Sequence, residues 1–332
     1  MGYFSDQEMT RRLANLRRAM DEQNVEAVLV TSVHNTLYYS NFWMIPWGRE
    51  QGLVIPRDGE PALIAPRIEY DRPAKMVGDG NGFSDIRIYA DNASAIDGWV
   101  GLARQVLRDR GITSGRIGIE EDNVSITMHK ALCAALPDLE FAEMGYAMMC
   151  EQMLKSDEEI TLIRDGAEIC DLGAQAFVDA VRNGVTEVQV ARASVTAMEE
   201  EICRRFPGHE CDGTFCWAQS GPENTKVAHG LNTDRQIHSG DLLSLNVFPM
   251  ILGYYHLLER SLVFGSISAE VQKYFEIQVE VHHAGIAALK PGVRLGDIDD
   301  TIINPIYEQH GLLENRTFGT GHSFGIMGYW YG

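Results

Sequence analysis

The hydrophobic periodicity of this chain changes near residue 150, and that change limits its architecture more than any other feature. Upstream, short apolar runs alternate with helical patterns. The first helix opens at SDQE, where Ser5 caps and Glu8 reaches back, and Met9, Leu13, Leu16 and Met20 follow on one face. The runs EAVLVTS, TLYYSNF, GLVIP and PALIAP read as strands punctuated by Asn, Gly, Pro and Asp. After a polar stretch come a helix in AIDGWVGLARQVLRDRG, a strand in RIGIEE, a helix in ITMHKALCAALP and a strand in LEFAEM. That alternation predicts an α/β layer domain over residues 1–150.

Downstream the pattern is different. MLKSDEEITLIRDGAEICDLGAQAFVDAV opens on a second capping box, Ser156 with Glu159, and continues as a long one-sided helix. A second long helix, TEVQVARASVTAMEEEICRRFP, precedes the strand-like runs TFCWAQSG, DLLSLNVFP and YYHLLERSLVF. A helix from about Ser268 to Leu289, a further one in LGDIDDTIINPIYEQHG, and a strand or loop at RTFGTGHSFG follow. Paired helices over antiparallel strands predict an α+β domain over residues 151–332.

Charge narrows the function classes. The net charge of −19 and pI of about 4.9 argue against a nucleic-acid or anionic-membrane partner, either of which needs a basic face. The opening MGYFSDQEMTRRLANLRRAM has no apolar core of signal-peptide length, and no run is long enough to span a bilayer. Asp6 stands where a myristoylation signal needs Ser or Thr, which removes Gly2 as an acceptor. Six cysteines without a secretory signal read as reduced thiols, so the cytoplasm is the expected location. Cys203, His209, Cys211 and Cys216 lie close in sequence but lack the paired C-x-x-C spacing of structural zinc sites.

The stretch that carries chemistry is NVFPMILGYYHLLERSLVF, residues 246–264. Glu259 stands there among apolar residues. Strand alternation predicts that it shares a face with Leu257 and Tyr255 and points away from Arg260. His229, in KVAHGLNT, is either a general acid–base or an ordinary loop histidine. Arg49, in PWGRE, is either a bidentate carboxylate binder or a solvated loop arginine. His282 and His283 are adjacent in a helix and are expected to serve solvation or packing, while Asp234 and His238 are loop residues without an assigned role.

The second unit resembles the pita-bread family, which includes methionine aminopeptidase, proline-specific aminopeptidases, prolidase and the creatinases. Its metallopeptidases place one metal aspartate on a strand and a second just after a Gly-Tyr pair. Here that frame holds Asn246, then Gly253–Tyr254, then Leu257. Leucine cannot ligate a metal, and a neutral amide is a poor bridging ligand. The creatinases are the metal-free members with this pattern. TSVHNTLYYSNF, PWGRE, RIGIEEDN, LKSDEE, AHGLNT, GDLLSLNVFPM, GYYHLLERSL, LKPG and RTFGTGHSFG carry the likeness along nearly the whole chain.

The resemblance implies a creatinase-type amidinohydrolase, acting on creatine or a similar guanidino acid to release sarcosine and urea, with no cofactor and no metal. His229, Glu259 and His322 would be catalytic: His229 as acid–base, Glu259 on the guanidinium, and His322 polarising or orienting. Arg49 would reach the substrate carboxylate from the partner subunit of a homodimer. Trp47, where creatinases carry phenylalanine, and Tyr254 would line the pocket, and Arg260 would be structural. The alternatives are an amidinohydrolase for another guanidino acid, a metal-dependent proline peptidase, and a non-catalytic pita-bread module that binds peptides. The family continues beyond the position of GYWYG with strands carrying another glutamate and an arginine, so the pita-bread sheet is expected to be incomplete within this chain.

Overall fold

The computed structural model describes residues 4–42, 44, 47–69, 71–77, 83–91, 94–209, 212–319, 321–322 and 325–326. Gly2, Cys211 and the closing GYWYG lie outside them. The chain divides into two compact units between Thr161 and Leu162, with Ile326 grouped with the first.

In the first unit, helix α1 (Asp6–Gln23) starts at the Ser5 cap and ends at Asn24 in the left-handed conformation. Strand β1 (Ala27–Val30) follows, then helix α2 (Val33–Ser40), strands β2 (Gly52–Pro56) and β3 (Ala62–Pro66), helix α3 (Arg72–Val77) and strand β4 (Asp85–Tyr89). Helix α4 (Ala95–Asp109), β5 (Gly115–Ile119), α5 (Ile126–Ala135), β6 (Leu139–Glu143) and α6 (Gly145–Met153) complete it. The strands form one sheet in the order β4-β3-β2-β1-β5-β6. The β1–β2 and β2–β3 pairs run antiparallel and the other three parallel. Trp99, Val106 and Leu107 of α4 and Leu132 of α5 pack beneath it with Leu29, Val54 and Ile117, all fully buried. This is the α/β layer the alternation predicts.

The sequence reading gives no helix where α3 and α6 form, and two further elements depart from it. TLYYSNF belongs to α2, not to a strand. The Ser32 side chain accepts from Asn35 N to cap the helix, and Asn41 closes it with φ 61°. Buried Glu120 then holds the helix start, accepting from Thr31 N at 2.5 Å, Ser32 N at 2.9 Å and Asn35 Nδ2 at 2.6 Å. A carboxylate at a helix N-terminus also meets the positive end of the helix dipole. The second departure is β4, whose DIRIY lies in a stretch that reads as merely polar; it pairs with β3 from Ala62↔Asp85 to Pro66↔Tyr89.

Helix α7 (Asp157–Ala180) leads into the second unit, with α8 (Glu187–Arg205) after it. Strand β7 (Phe215–Ser220), the short α9 (Gly221–Asn224), and β8 (Leu242–Phe248) follow. Next come β9 (Met250–Ile251), β10 (Tyr254–Tyr255), β11 (Leu258–Val263) and helix α10 (Ala269–Ala288). Two short helices, α11 (Leu295–Ile298) and α12 (Asn304–Gln309), are joined by a π-helical stretch at Asp299–Ile303.

The main sheet of this unit is antiparallel in the order β11-β8-β7, while β9 and β10 form a separate ribbon. One sheet face is apolar: Cys216, Ala218, Leu243, Leu245 and Val247 are buried, as are Phe177 of α7 and Val190, Val195, Met198 and Ile202 of α8. Ser194 of α8 donates to the Gly173 carbonyl of α7 at 2.8 Å, tying the two helices together. YYHLLERSLVF is therefore two strands in two sheets rather than one. Leu252 and Gly253, at φ 54° and 82°, make the turn between β9 and β10 with both central residues left-handed, the I′ pattern of tight hairpins.

Candidate active site

Register decides which side chains meet. Asn246 on β8 pairs with Glu259 on β11 and with Trp217 on β7. Residues directly opposite in an antiparallel sheet project to the same face, so Trp217, Asn246 and Glu259 form one row. Gln219, Ser244 and Ser261 form the next row, and Phe215 and Phe248 border the other side. All these residues project away from the apolar face described above.

The break between β10 and β11 changes the expected placement of Glu259. Tyr255 belongs to the ribbon, and Leu257 lies between the strands, so neither defines the face on which Glu259 stands. Its row neighbours are Asn246 and Trp217 instead. The expected separation from Arg260 holds: Arg260 donates from Nη1 to the Glu259 carbonyl at 2.7 Å, and among the described residues the Glu259 carboxylate joins no ion pair. Glu259 and Arg260 border a groove of about 770 Å³ between β11 and α10, which His282 and His283 also line. Both histidines, whose rings lie 5.8 Å apart, line this one groove, although adjacent helix positions are expected to fall on different faces.

Asn246 is buried and fixed by neutral partners. Its Nδ2 donates to Trp217 O at 3.2 Å, Gln219 Oε1 at 3.3 Å and Ser244 Oγ at 3.1 Å. Trp217 anchors an aromatic group: Phe215 and Phe248 stack at 4.3 Å between centroids, and Trp217 meets Phe248 edge-on at 5.0 Å. His229 sits against the Trp217 ring at 5.6 Å in an edge-to-face contact. Thus His229 stands at the Trp217 end of the row and Glu259 at the other.

Tyr254, expected to line the pocket, is only 2% exposed. Its neighbour Tyr255 borders the aromatic group instead, 5.7 Å from Phe215, with its hydroxyl donating to Gly213 O at 3.1 Å. A two-residue strand in a tight hairpin turns successive side chains to opposite sides, and the inward one is Tyr254. His322 is exposed on the loop after the last short helix and is not part of the row. In the first unit, Trp47 is exposed with φ 44° and Gly48 follows at 75°, a left-handed pair that turns the indole outward. Arg49 is half-exposed, and its Nε contacts Asp91 Oδ1 at 3.2 Å. Asp91 in turn accepts from Ile68 N at 2.9 Å.

Several contributors were not singled out from the sequence. Phe215, Trp217 and Gln219 alternate along TFCWAQS, so the period of a strand already places them on one face. Nothing comparable marks Glu187, the first residue of α8, which carries the most hydrogen bonds around the His229 loop.

Known proteins fit this geometry. Residues 12–153 match the creatinase/prolidase N-terminal domain, and residues 161–329 match metallopeptidase family M24. The chain is 40% identical to a creatinase of Bacillus sp. (strain B-0618) over 329 residues, 99% of this chain and 78% of that protein. A recombinant prolidase from Thermococcus sibiricus has a similar fold, with a TM-score of 0.80 at 21% identity over 96% of this chain and 82% of that one. An X-Pro aminopeptidase from Thermotoga maritima MSB8 is similar too, with a TM-score of 0.79 at 20% identity over 96% and 83%.

The M24 description implies a divalent metal, and the donors here do not fit one. Asn246 is a neutral amide already engaged by neutral partners, and Leu257 offers no donor atom. His229 and Glu259 are separated by the Trp217–Asn246 row, and among the described residues no three His, Cys, Asp or Glu side chains gather where a metal could sit. With a layered α/β domain, a three-stranded catalytic-type sheet and matches along nearly its whole length, the chain belongs to the creatinase branch of the pita-bread family and is an enzyme of that family.

Proposed function

We propose that the protein hydrolyses the amidino C–N bond of creatine, or of a closely similar guanidino acid, releasing sarcosine and urea without a metal or other cofactor. The observation that carries this reading is the row itself. A carboxylate without an ionic partner among the described residues stands level with a neutral asparagine and an indole. Such a row suits a flat organic cation, which a carboxylate grips through two parallel hydrogen bonds and an aromatic ring attracts through its π face. The 40% identity to a creatinase supports the choice of substrate class.

In this reading Glu259 holds the guanidinium and polarises its carbon. His229 takes a proton from water as the water oxygen bonds to that carbon. The tetrahedral intermediate collapses by breaking the bond to the methylated nitrogen, and the imidazolium returns its proton to that nitrogen. As the carbonyl of urea forms, the intermediate's hydroxyl gives up its proton, which ends on the departing nitrogen, so sarcosine leaves as its ammonium zwitterion and urea leaves neutral, and atoms and charge balance. His322 assists by orienting the substrate. Arg49 grips the substrate carboxylate across a homodimer interface, with its Nε held by Asp91. Trp47 contributes an aromatic wall, and Tyr255 takes the bordering role expected of Tyr254. No helix among the described residues is long and apolar enough to cross a membrane, and the cytoplasm is the proposed location.

The fold likeness to prolidases keeps a proline peptidase as the rival. Urea release measured on creatine, guanidinoacetate and longer guanidino acids, beside dipeptide cleavage, separates the two. His229→Ala should lower urea release by about 10²–10⁴-fold, the usual contribution of histidine general catalysis. Wild-type turnover in that variant would remove His229 from the chemistry, and proline-dipeptide cleavage in place of urea release would overturn the proposal.

A further inference from the structure

His229 lies on an exposed loop, yet a general base must hold its position to within a fraction of an ångström. The contacts that hold this loop converge on one buried side chain. Glu187 is fully buried at the start of α8, with its two oxygens divided between the two ends of the loop. Oε1 accepts from Ser220 N and Ser220 Oγ, both at 2.7 Å, and from Asn224 Nδ2 at 2.9 Å, where the chain leaves β7. Oε2 accepts from Thr233 N at 2.9 Å and Thr233 Oγ1 at 2.6 Å, where the chain returns. His229 lies between these two anchors.

Burial alone pushes the Glu187 carboxyl up, and the donors from Thr233, Asn224 and Ser220 more than reverse this, leaving it below the usual carboxylate range. It therefore stays a pure acceptor, which all five donors require. Two further ties run between the anchors. Asn232 Oδ1 accepts from Ala218 N at 2.6 Å and its Nδ2 donates to Cys216 O at 2.7 Å, so that an amide side chain pairs with β7 in place of a strand. Gln219 Nε2 donates to Asn224 O at 3.2 Å and also to Val227 O, while its Oε1 accepts from Asn246 Nδ2 at 3.3 Å. The loop is thus tied to the row that holds Glu259.

We propose that Glu187 is a positioning residue for the reaction: its carboxylate clamps both ends of the 221–233 loop and thereby sets His229 against Trp217 and in reach of a substrate held by Glu259. This rests on the reading of His229 as the general base, and it adds a residue that does not touch the substrate.

The test compares wild type with Glu187→Gln and with Thr233→Val, which removes a single hydroxyl donor and leaves the buried carboxylate in place. Two readouts are taken on each. The first is urea release resolved into kcat and KM: the clamp predicts a kcat about 10–100-fold lower in Glu187→Gln, with KM within about three-fold, because Glu259 still binds. The second needs no substrate. Protonated imidazole quenches a neighbouring indole, so the part of the fluorescence pH titration that disappears in both His229→Gln and Trp217→Phe reports the His229–Trp217 contact. That step should vanish in Glu187→Gln and weaken in Thr233→Val. A variant that retains both the step and the wild-type kcat overturns the clamp. If Glu187→Gln does not fold, the same two readouts on Thr233→Val decide. Loss of the step in the variants of a wild type that releases no urea from any guanidino acid would sustain the clamp and sink the proposed reaction, so the two failures stay distinct.

Discussion

His256 offers the sharpest physical test of the second unit. The residue is 4% exposed, its ring is packed against Gly166 of α7, and its Nε2 has no hydrogen-bond partner among the described residues. Burial lowers its pKa from 6.5 to about 4. An unfolded chain takes up this proton near pH 6.5, whereas the folded chain does so only near pH 4. The stability that depends on a neutral His256 is therefore fully present above about pH 6.5 and is lost as pH falls toward about 4. Within that window the slope approaches about 1.4 kcal/mol per pH unit, or about 3 kcal/mol in all. His34 in the first unit, also lowered to about 4 by burial, loses stability in the same direction. The assay is urea denaturation of wild type and His256→Asn at half-unit steps between pH 4.5 and 7, both retaining His34. The wild-type stability should fall more steeply than the variant's, by about 1 kcal/mol per pH unit near pH 5.5. Parallel slopes would refute the reasoning, since a titrating buried imidazole must leave its mark there.

Other consequences follow from named contacts. A Cβ on Gly166 would sit 2.1 Å from the His256 ring, so Gly166→Ala should cost about 1–3 kcal/mol or more of stability in thermal or urea unfolding; an unchanged midpoint would mean the ring moves freely. Arg49→Ala should raise KM for creatine about 10–100-fold, the value of a charged hydrogen bond to the substrate carboxylate. It should leave thermal stability almost unaltered, because the Arg49–Asp91 pair is about one-third exposed on both sides. An unchanged KM would take Arg49 out of substrate binding. Removing the Arg49 side chain from one subunit and the His229 side chain from the other should yield mixed dimers with partial activity; if mixing restores none, Arg49 does not act across an interface.

Most of the architecture is written locally. The Ser5 cap, the Ser156–Glu159 capping box, the helical stripe from Met9 to Met20, and the apolar strands GLVIP and PALIAP each form the predicted element, except that Glu158 and not Glu8 accepts from Ser5 N, because Arg11 and Arg12 hold the Glu8 carboxylate. The misreadings share a cause, which is that tertiary partners overrode local pattern. TLYYSNF has the β-branched and aromatic residues of a strand, but Glu120, far off in sequence, grips the preceding Thr31 and Ser32 amides and starts a helix. YYHLLERSLVF alternates well enough for one strand, but buried His256 against Gly166 splits it, because the ring needs the space that only a glycine on α7 leaves. The site was legible in part. His229, Asn246 and Glu259 could be named from their motifs, but that Asn246 and Glu259 share a row is a fact of register, which depends on strand pairing rather than on neighbours in sequence. Glu187 was hidden for the same reason: at the first turn of a helix it reads as an ordinary acidic residue, and only the folded loop brings Ser220, Asn224 and Thr233 to it.

The central claim, an acidic grip on an organic cation where relatives of this fold are described as metallopeptidases, is tested most directly by incubating the purified protein with creatine after exhaustive chelation and counting urea against sarcosine. Equal amounts of both products, at a rate that added manganese, cobalt or zinc does not raise, are what the Trp217–Asn246–Glu259 row predicts. A chelated protein that yields no urea until a divalent ion is restored would contradict it.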